Sequence, residues 1–147
     1  MKPCILVAED DADDRFLLQN AFSDLKILDT VSFVNDGVEL LEQLNHRLAD
    51  ASRNPLPGLI LLDLNMPRKD GRQVLAEIKN DPKLRFIPVL VFTTSSASGD
   101  IEEAYRLGAN SYIVKPNDYA ELADLVKIVS DFWLCSAKLP RGSACVD

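Results

Sequence analysis

One histidine, His46, and three cysteines, Cys4, Cys135 and Cys145, are all this 147-residue chain offers a soft or borderline metal. None stands at a metal-ligand spacing, which argues against a structural zinc site. The odd number of cysteines reads as reduced thiols in a cytoplasm, with Cys145 in a polar tail open to cross-linking in air. His46 falls in a helical pattern without a phosphotransfer motif around it and reads as a solvated residue. Long apolar runs are missing too. No stretch approaches a membrane span, and the run at residues 5–8 is too short for a signal-peptide core and leads straight into acid. Basic excess is the third absence. Sixteen Lys and Arg face 23 Asp and Glu, a net charge of -7. Phosphate backbones and anionic lipids need cationic stripes, so neither nucleic acid nor membrane is an expected partner, and the expected location is cytoplasmic.

What is present is ordinary globular material. Hydrophobic residues make up 47% and charged residues 27%, enough for one domain with a proper core. Short, wholly apolar or β-branched runs at residues 4–8, 30–34, 59–62, 88–92 and 111–114 read as strands. Between them lie amphipathic stretches at 13–25, 38–48, 72–79, 100–107 and 119–134, which read as helices. Residues 49–58 ("ADASRNPLPG") form a loop by their Asn, Pro and Gly. Continuously apolar strands alternating with helices predict an α/β fold: a doubly wound, five-stranded parallel sheet with helices on both faces.

In such sheets the working site lies at the carboxyl ends of the strands. Glu9, Asp10 and Asp11 follow the first strand, Asp63 the third, Thr93 the fourth, and Lys115-Pro116 the fifth. A nucleotide fold of this class would carry a Gly- or Ser/Thr-rich phosphate loop after strand one. Here that loop reads "EDDADD", which repels bare phosphate. Converging carboxylates need a cation between them. Hard oxygen donors suit Mg²⁺, with Mn²⁺ as an alternative. A carboxylate nucleophile, a metal, a lysine and a hydroxyl are together the parts for phosphoryl transfer to an aspartate. Asp13 and Asp14 read differently, as acids favoured at a helix N-terminus.

Four motifs in this order, "VAEDD", "LLDLNMPRKDG", "VLVFTT" and "YIVKP", resemble the receiver domain of two-component response regulators, from residue 4 to about 134. The resemblance implies a flavodoxin-like strand order 2-1-3-4-5, a receiver domain over 1–134, and a C-terminal tail over 135–147 that could join a dimer contact. It implies that Asp63 is the phosphoacceptor. Asp10 would ligate Mg²⁺ directly, Glu9 mainly through water, and Asn65 through its backbone carbonyl. Lys115 would pair with the phosphoryl oxygens, and Thr93 and Tyr112 would be the switch pair. A cis Lys115-Pro116 bond would aim the amine at Asp63. The finer resemblance, carried by the loop at 49–58 and the ending "FWLCSAKLP", is to single-domain regulators associated with phytochrome-type histidine kinases. On this reading the chain is not an enzyme with a separate substrate. It catalyses its own Mg²⁺-dependent phosphorylation from a sensor histidine kinase, and its own slow dephosphorylation. With 13 residues after Leu134, no output module is expected there, and the signal would pass to a partner.

Two other classes share part of this pattern. Haloacid-dehalogenase-type phosphatases also use an Asp nucleophile, but place an acid two residues after it. Here that residue is Asn65, which cannot shuttle a proton. A phosphorylation-independent adaptor would leave Asp63 without a task. Finally, Phe132, Trp133 and Leu134 exceed what one helix face needs for a core, and predict a homodimer around the last helix, extended by Tyr119 or Ile128.

Overall fold

The computed structural model describes residues 4–50 and 55–140. Five parallel strands, β1 (Ile5–Ala8), β2 (Val31–Val34), β3 (Leu59–Leu62), β4 (Val89–Thr93) and β5 (Ser111–Val114), form one sheet in the order β2-β1-β3-β4-β5. The helices are α1 (Ala12–Asp24), α2 (Gly37–Ala49), α3 (Gly71–Asn80), α4 (Ser98–Arg106) and α5 (Tyr119–Ser130). A 3₁₀ turn at Leu28–Thr30 and a π-helical turn at Asp131–Ser136 complete the elements. The expected order of strands and helices is the observed one.

The sheet explains the apolar runs. The inner strands β1, β3 and β4 are buried at every position, whereas the edge strands β2 and β5 are only partly covered. Alternate residues of one strand feed opposite faces. Leu6, Ile60, Leu62, Val89 and Val91 pack under α2 and α3 with Leu40, Leu44, Val74, Leu75 and Ile78. Ile5, Val7, Leu59, Leu61 and Phe92 pack on the other side with Leu18 and Phe22 of α1 and Leu122 and Val126 of α5. Each such Leu, removed from water, contributes about 1.5–3 kcal/mol.

The ends of the helices are fixed by acids. Asp11, Asp36, Asp70 and Asp118 are N-caps whose carboxylates accept backbone N–H groups of α1, α2, α3 and α5. One glycine is dictated by crowding. A Cβ on Gly71 would lie 2.3 Å from the carbonyl oxygen of Asp63. Gly71 N–H also donates to the Leu64 carbonyl at 2.8 Å. The chain therefore turns from β3 into α3 directly against the backbone of Asp63, which seats that residue.

Three expectations are corrected. Among the described residues no peptide bond is cis, so Lys115-Pro116 is trans. The trans form is the favoured one, and the Lys115 amine reaches Asp63 from it without a cis bond. The last helix does not run regularly to 134: its α-helical part ends at Ser130, and the π-helical turn follows. Cys4 is disulfide-bonded rather than a reduced thiol, since cysteine number and spacing alone do not reveal pairing. Cys135 is free, as read, and is exposed, and Cys145 lies outside the described residues. No helix among the described residues is long and apolar enough to cross a membrane.

Candidate phosphoacceptor site

The sheet register brings the strand ends into one mouth. Ala8 pairs with Leu62, so Glu9 and Asp63 leave their strands at the same level. Leu62 pairs with Val91 and Val91 with Tyr112, so Thr93 and then Lys115 stand further out at the same end of the sheet, and the long Lys115 side chain reaches back to the two carboxylates. Backbone bonds continue the ladder past the strands. Glu9 N–H donates to Val34 O at 3.1 Å, Asp63 N–H to Ala8 O at 3.1 Å, and Lys115 N–H to Thr93 O at 2.8 Å.

Asp63 is buried, with 7% of its surface exposed. One of its oxygens, Oδ1, accepts from Asn65 N–H at 3.3 Å; the other, Oδ2, accepts from Lys115 Nζ at 3.0 Å. The same ammonium lies 2.5 Å from Glu9 Oε2 and 2.8 Å from Asp14 Oδ2. Lys115 thus faces three carboxylates, and its own side chain is buried. Burial works against its charge, but the bonds to Asp14 and Glu9 and the fields of Glu9 and Asp63 prevail and raise its pKa. Glu9 shows the opposite balance. Burial pushes its carboxyl up to about 7, helped by the charge of Asp63 and resisted by Lys115.

Glu9, Asp10 and Asp63 each offer one oxygen, and these oxygens lie within 4.8 Å of one another. The donors are all hard carboxylate oxygens, Asp10 is exposed to solvent, and among the described residues Lys115 alone pairs with the buried Glu9 and Asp63. Such a cluster suits a divalent cation that keeps part of its water shell.

Thr93 is fully buried, and its Oγ1 has no hydrogen-bond partner among the described residues. An unpaired buried hydroxyl calls for an explanation, and a group that arrives from outside is one. Tyr112 is half-buried against the core, and its hydroxyl donates to the carbonyl of Ser95 at 2.8 Å. His46 is exposed, as read.

The structure brings together Glu9, Asp10, Asp63 and Lys115, with the Asn65 N–H on Asp63, the Thr93 carbonyl on the Lys115 N–H, and Tyr112 on the edge strand β5. Sequence reasoning missed a member. Asp14 does stand in the first turn of α1, but it also holds the Lys115 ammonium. No spacing signal marked it, because an acid in the first turn of a helix reads as a partner of the helix terminus. Phe132, Trp133 and Leu134 lie away from this site, in the π-helical turn. Phe132 is exposed and packs edge-on against Trp133 at a centroid distance of 5.2 Å, while Trp133 and Leu134 rest partly on the core of their own domain.

Comparison with known proteins places this geometry. The family model described as the response regulator receiver domain matches residues 5–127. Response regulator Rcp1 of Synechocystis sp. is 39% identical over 138 residues, covering 94% of this chain and 93% of that protein. The crystal structure of the phosphorylated cyanobacterial phytochrome response regulator RcpA superposes with a TM-score of 0.85 at 44% identity, over 95% of this chain and 99% of that one. The Mn²⁺-bound form of Rcp1 superposes with a TM-score of 0.79 at 38% identity, over 94% of this chain and 99% of that one. An acidic mouth suited to a divalent cation, a five-stranded sheet in the order 2-1-3-4-5, and a family match across most of the chain agree: the protein is a receiver domain of the response regulator family.

Proposed function

We propose that Asp63 accepts a phosphoryl group from a phosphohistidine of a sensor kinase, and that the kinase is of the phytochrome type. The observation that carries this reading is the bond between Lys115 Nζ and Asp63 Oδ2 in a mouth where Glu9 and Asp10 stand ready for a cation. The resemblance to regulators described as phytochrome response regulators supports the choice of kinase.

In the step proposed, an Asp63 carboxylate oxygen attacks phosphorus. The bond from phosphorus to the histidine nitrogen breaks, and its electron pair returns to the imidazole. The product is an acyl phosphate on Asp63. Glu9, Asp10 and Asp63, with the Asn65 carbonyl, would hold Mg²⁺ or Mn²⁺, which supplies charge neutralisation at the phosphoryl oxygens. Lys115 is already beside Asp63 and offers its ammonium to the same oxygens. Thr93 Oγ1, otherwise unpaired, donates to another. Asn65, two residues beyond Asp63, cannot act as a proton shuttle, so hydrolysis is slow and the phosphorylated state persists as a signal. The chain is then a phosphoacceptor that catalyses its own phosphorylation, and residues 1–134 are its receiver unit. Its place is the cytoplasm, where such kinases present their histidine.

Charge added at Asp63 draws on Lys115 and Thr93, the β4–α4 loop follows, and Tyr112 responds. The surface of α4, β5 and α5 carries the outcome to a second copy of the chain. Val114 and Ile128 are exposed there, beside an open groove between β5 and α5 in which Ile113, Val114, Leu125 and Ile128 alternate with Glu121 and Asp124, and Phe132 is exposed in the turn that follows α5. Phosphotransfer from purified candidate kinases tests the reading: radiolabel should pass to the wild type and not to Asp63→Asn. Label on the Asn variant would refute it.

A further inference from the structure

Arg72 stands at the second position of α3, just past the turn that follows β3. Its Nη1 lies 3.2 Å from Asp70 Oδ2, the N-cap of the same helix. Its Nη2 donates to Asp100 Oδ1 on α4 at 3.0 Å. The other oxygen of that carboxylate, Asp100 Oδ2, accepts from Ser95 Oγ at 2.5 Å. The carbonyl of Ser95 in turn accepts from the Tyr112 hydroxyl. A continuous chain of bonds therefore runs from α3, through α4 and the β4–α4 loop, to β5.

A surface ion pair between two helices would contribute little. This one differs in two respects. Arg72 is mostly covered, and each Asp100 oxygen has its own partner, so the orientation of that carboxylate is fixed from both sides. A guanidinium fork held by Asp70 and Asp100, with Glu103 Oε1 3.9 Å from its Nε, has little freedom, which a lysine would not reproduce. The loop it steadies follows directly on Thr93.

We propose that Arg72 is a positioning residue, which through Asp100 and Ser95 holds Tyr112 inward with its hydroxyl on the Ser95 carbonyl. The arrangement sets the resting position of Tyr112. Its consequence for signalling rests on the reading of Tyr112 as a switch residue, but the arrangement itself does not.

Fluorotyrosine NMR without any phosphoryl donor tests it. The chain has three tyrosines, and Tyr112→Phe assigns the resonance. Arg72→Gln and Asp100→Asn are expected to shift the Tyr112 resonance in the same direction, and the double variant to shift it no further, because both break one chain. Arg72→Lys should return it part of the way. Glu77→Gln, which breaks the pair between Glu77 on the same helix and Lys69 just before it, should leave it unmoved. Asp100→Asn is isosteric and partly exposed, so it decides the matter even if Arg72→Gln fails to fold. An unmoved resonance in folded Asp100→Asn, or additive shifts in the double variant, overturns the proposal. A second arm measures phosphate uptake from a small acyl-phosphate donor with Mg²⁺, where both single variants should change the rate by the same factor. A wild type that takes up no phosphate defeats the proposed function while leaving the resonance test intact.

Discussion

Lys115 Nζ donates to Asp63 Oδ2 at 3.0 Å, tying the end of β5 to the end of β3 across the intervening β4. The bond joins the edge strand β5 to the central strand β3. Because the same ammonium also holds Glu9 and Asp14, any charge added at Asp63 redistributes a cation that four elements share.

Lys115→Ala removes the cation that pairs with buried Glu9 and Asp63. Without metal, the variant is expected to lose about 3–5 kcal/mol of stability, the usual cost of leaving buried charges unpaired. Mg²⁺ should return part of it, since the carboxylates that bind it remain. Denaturant unfolding with and without EDTA measures both effects. A variant as stable as the wild type in EDTA would mean that the carboxylates do not depend on Lys115.

Gly71→Ala is expected to be destabilising although it adds only a methyl group. The new Cβ would meet the Asp63 carbonyl oxygen at 2.3 Å, and this neighbour is backbone. A loss of about 1–3 kcal/mol follows from forced displacement, with slower phosphate uptake because Asp63 itself must move. Unfolding midpoints and single-turnover labelling provide the two readouts.

Asp36 supplies a pH dependence. Its hydrogen bond to Arg68 outweighs burial and holds its carboxyl below the usual range. A depressed folded pKa stabilises above the unfolded value of about 3.9 and loses that contribution as the pH falls through the folded one. Asp36→Asn keeps an N-cap acceptor for Glu39 N–H but loses the charge. The variant should therefore be less stable than wild type near neutrality, with the gap closing below about pH 4. Arg68 is more than half exposed, so added salt should shrink the gap as well. Urea melts across pH measure this, and a gap that persists in acid would show that the cap rather than the charge is responsible.

Self-association should centre on Phe132 and Ile128, which are 54% and 65% exposed. Sedimentation of the wild type is expected to show a dimer, and Phe132→Asp/Trp133→Ala a monomer. A wild type that stays monomeric at high concentration, phosphorylated or not, removes the dimer. A dimer that survives the double variant moves the interface elsewhere.

Much of this was legible in the sequence, for identifiable reasons. Leu59–Leu62 and Ser111–Val114 are strands at the expected residues, because an inner strand needs an unbroken apolar run and an edge strand a β-branched one. The starts of α1, α2 and α3 differed by one residue, each just after a capping acid, as Asp36 caps before Gly37, and that of α4, which has no side-chain cap, by two. Asp63, Glu9, Asp10, Thr93 and Lys115 could be gathered because a parallel sheet places all strand ends on one side. What stayed hidden depended on side-chain direction. Asp14 serves its helix terminus and Lys115 together, and no spacing rule separates those tasks. The Arg72–Asp100–Ser95 chain joins three elements through rotamers that only packing selects. The trans Lys115-Pro116 bond and the π-helical turn at Asp131–Ser136 likewise reflect tertiary geometry rather than local pattern.

The central claim concerns Asp63 itself. Incubation with a small acyl-phosphate donor and Mg²⁺, followed by intact-mass and peptide mass spectrometry, tests it most directly. One phosphoryl group should be added, located on the peptide containing Asp63, abolished by EDTA and absent from Asp63→Asn. Equal labelling of Asp63→Asn, or labelling that EDTA leaves unchanged, would contradict it.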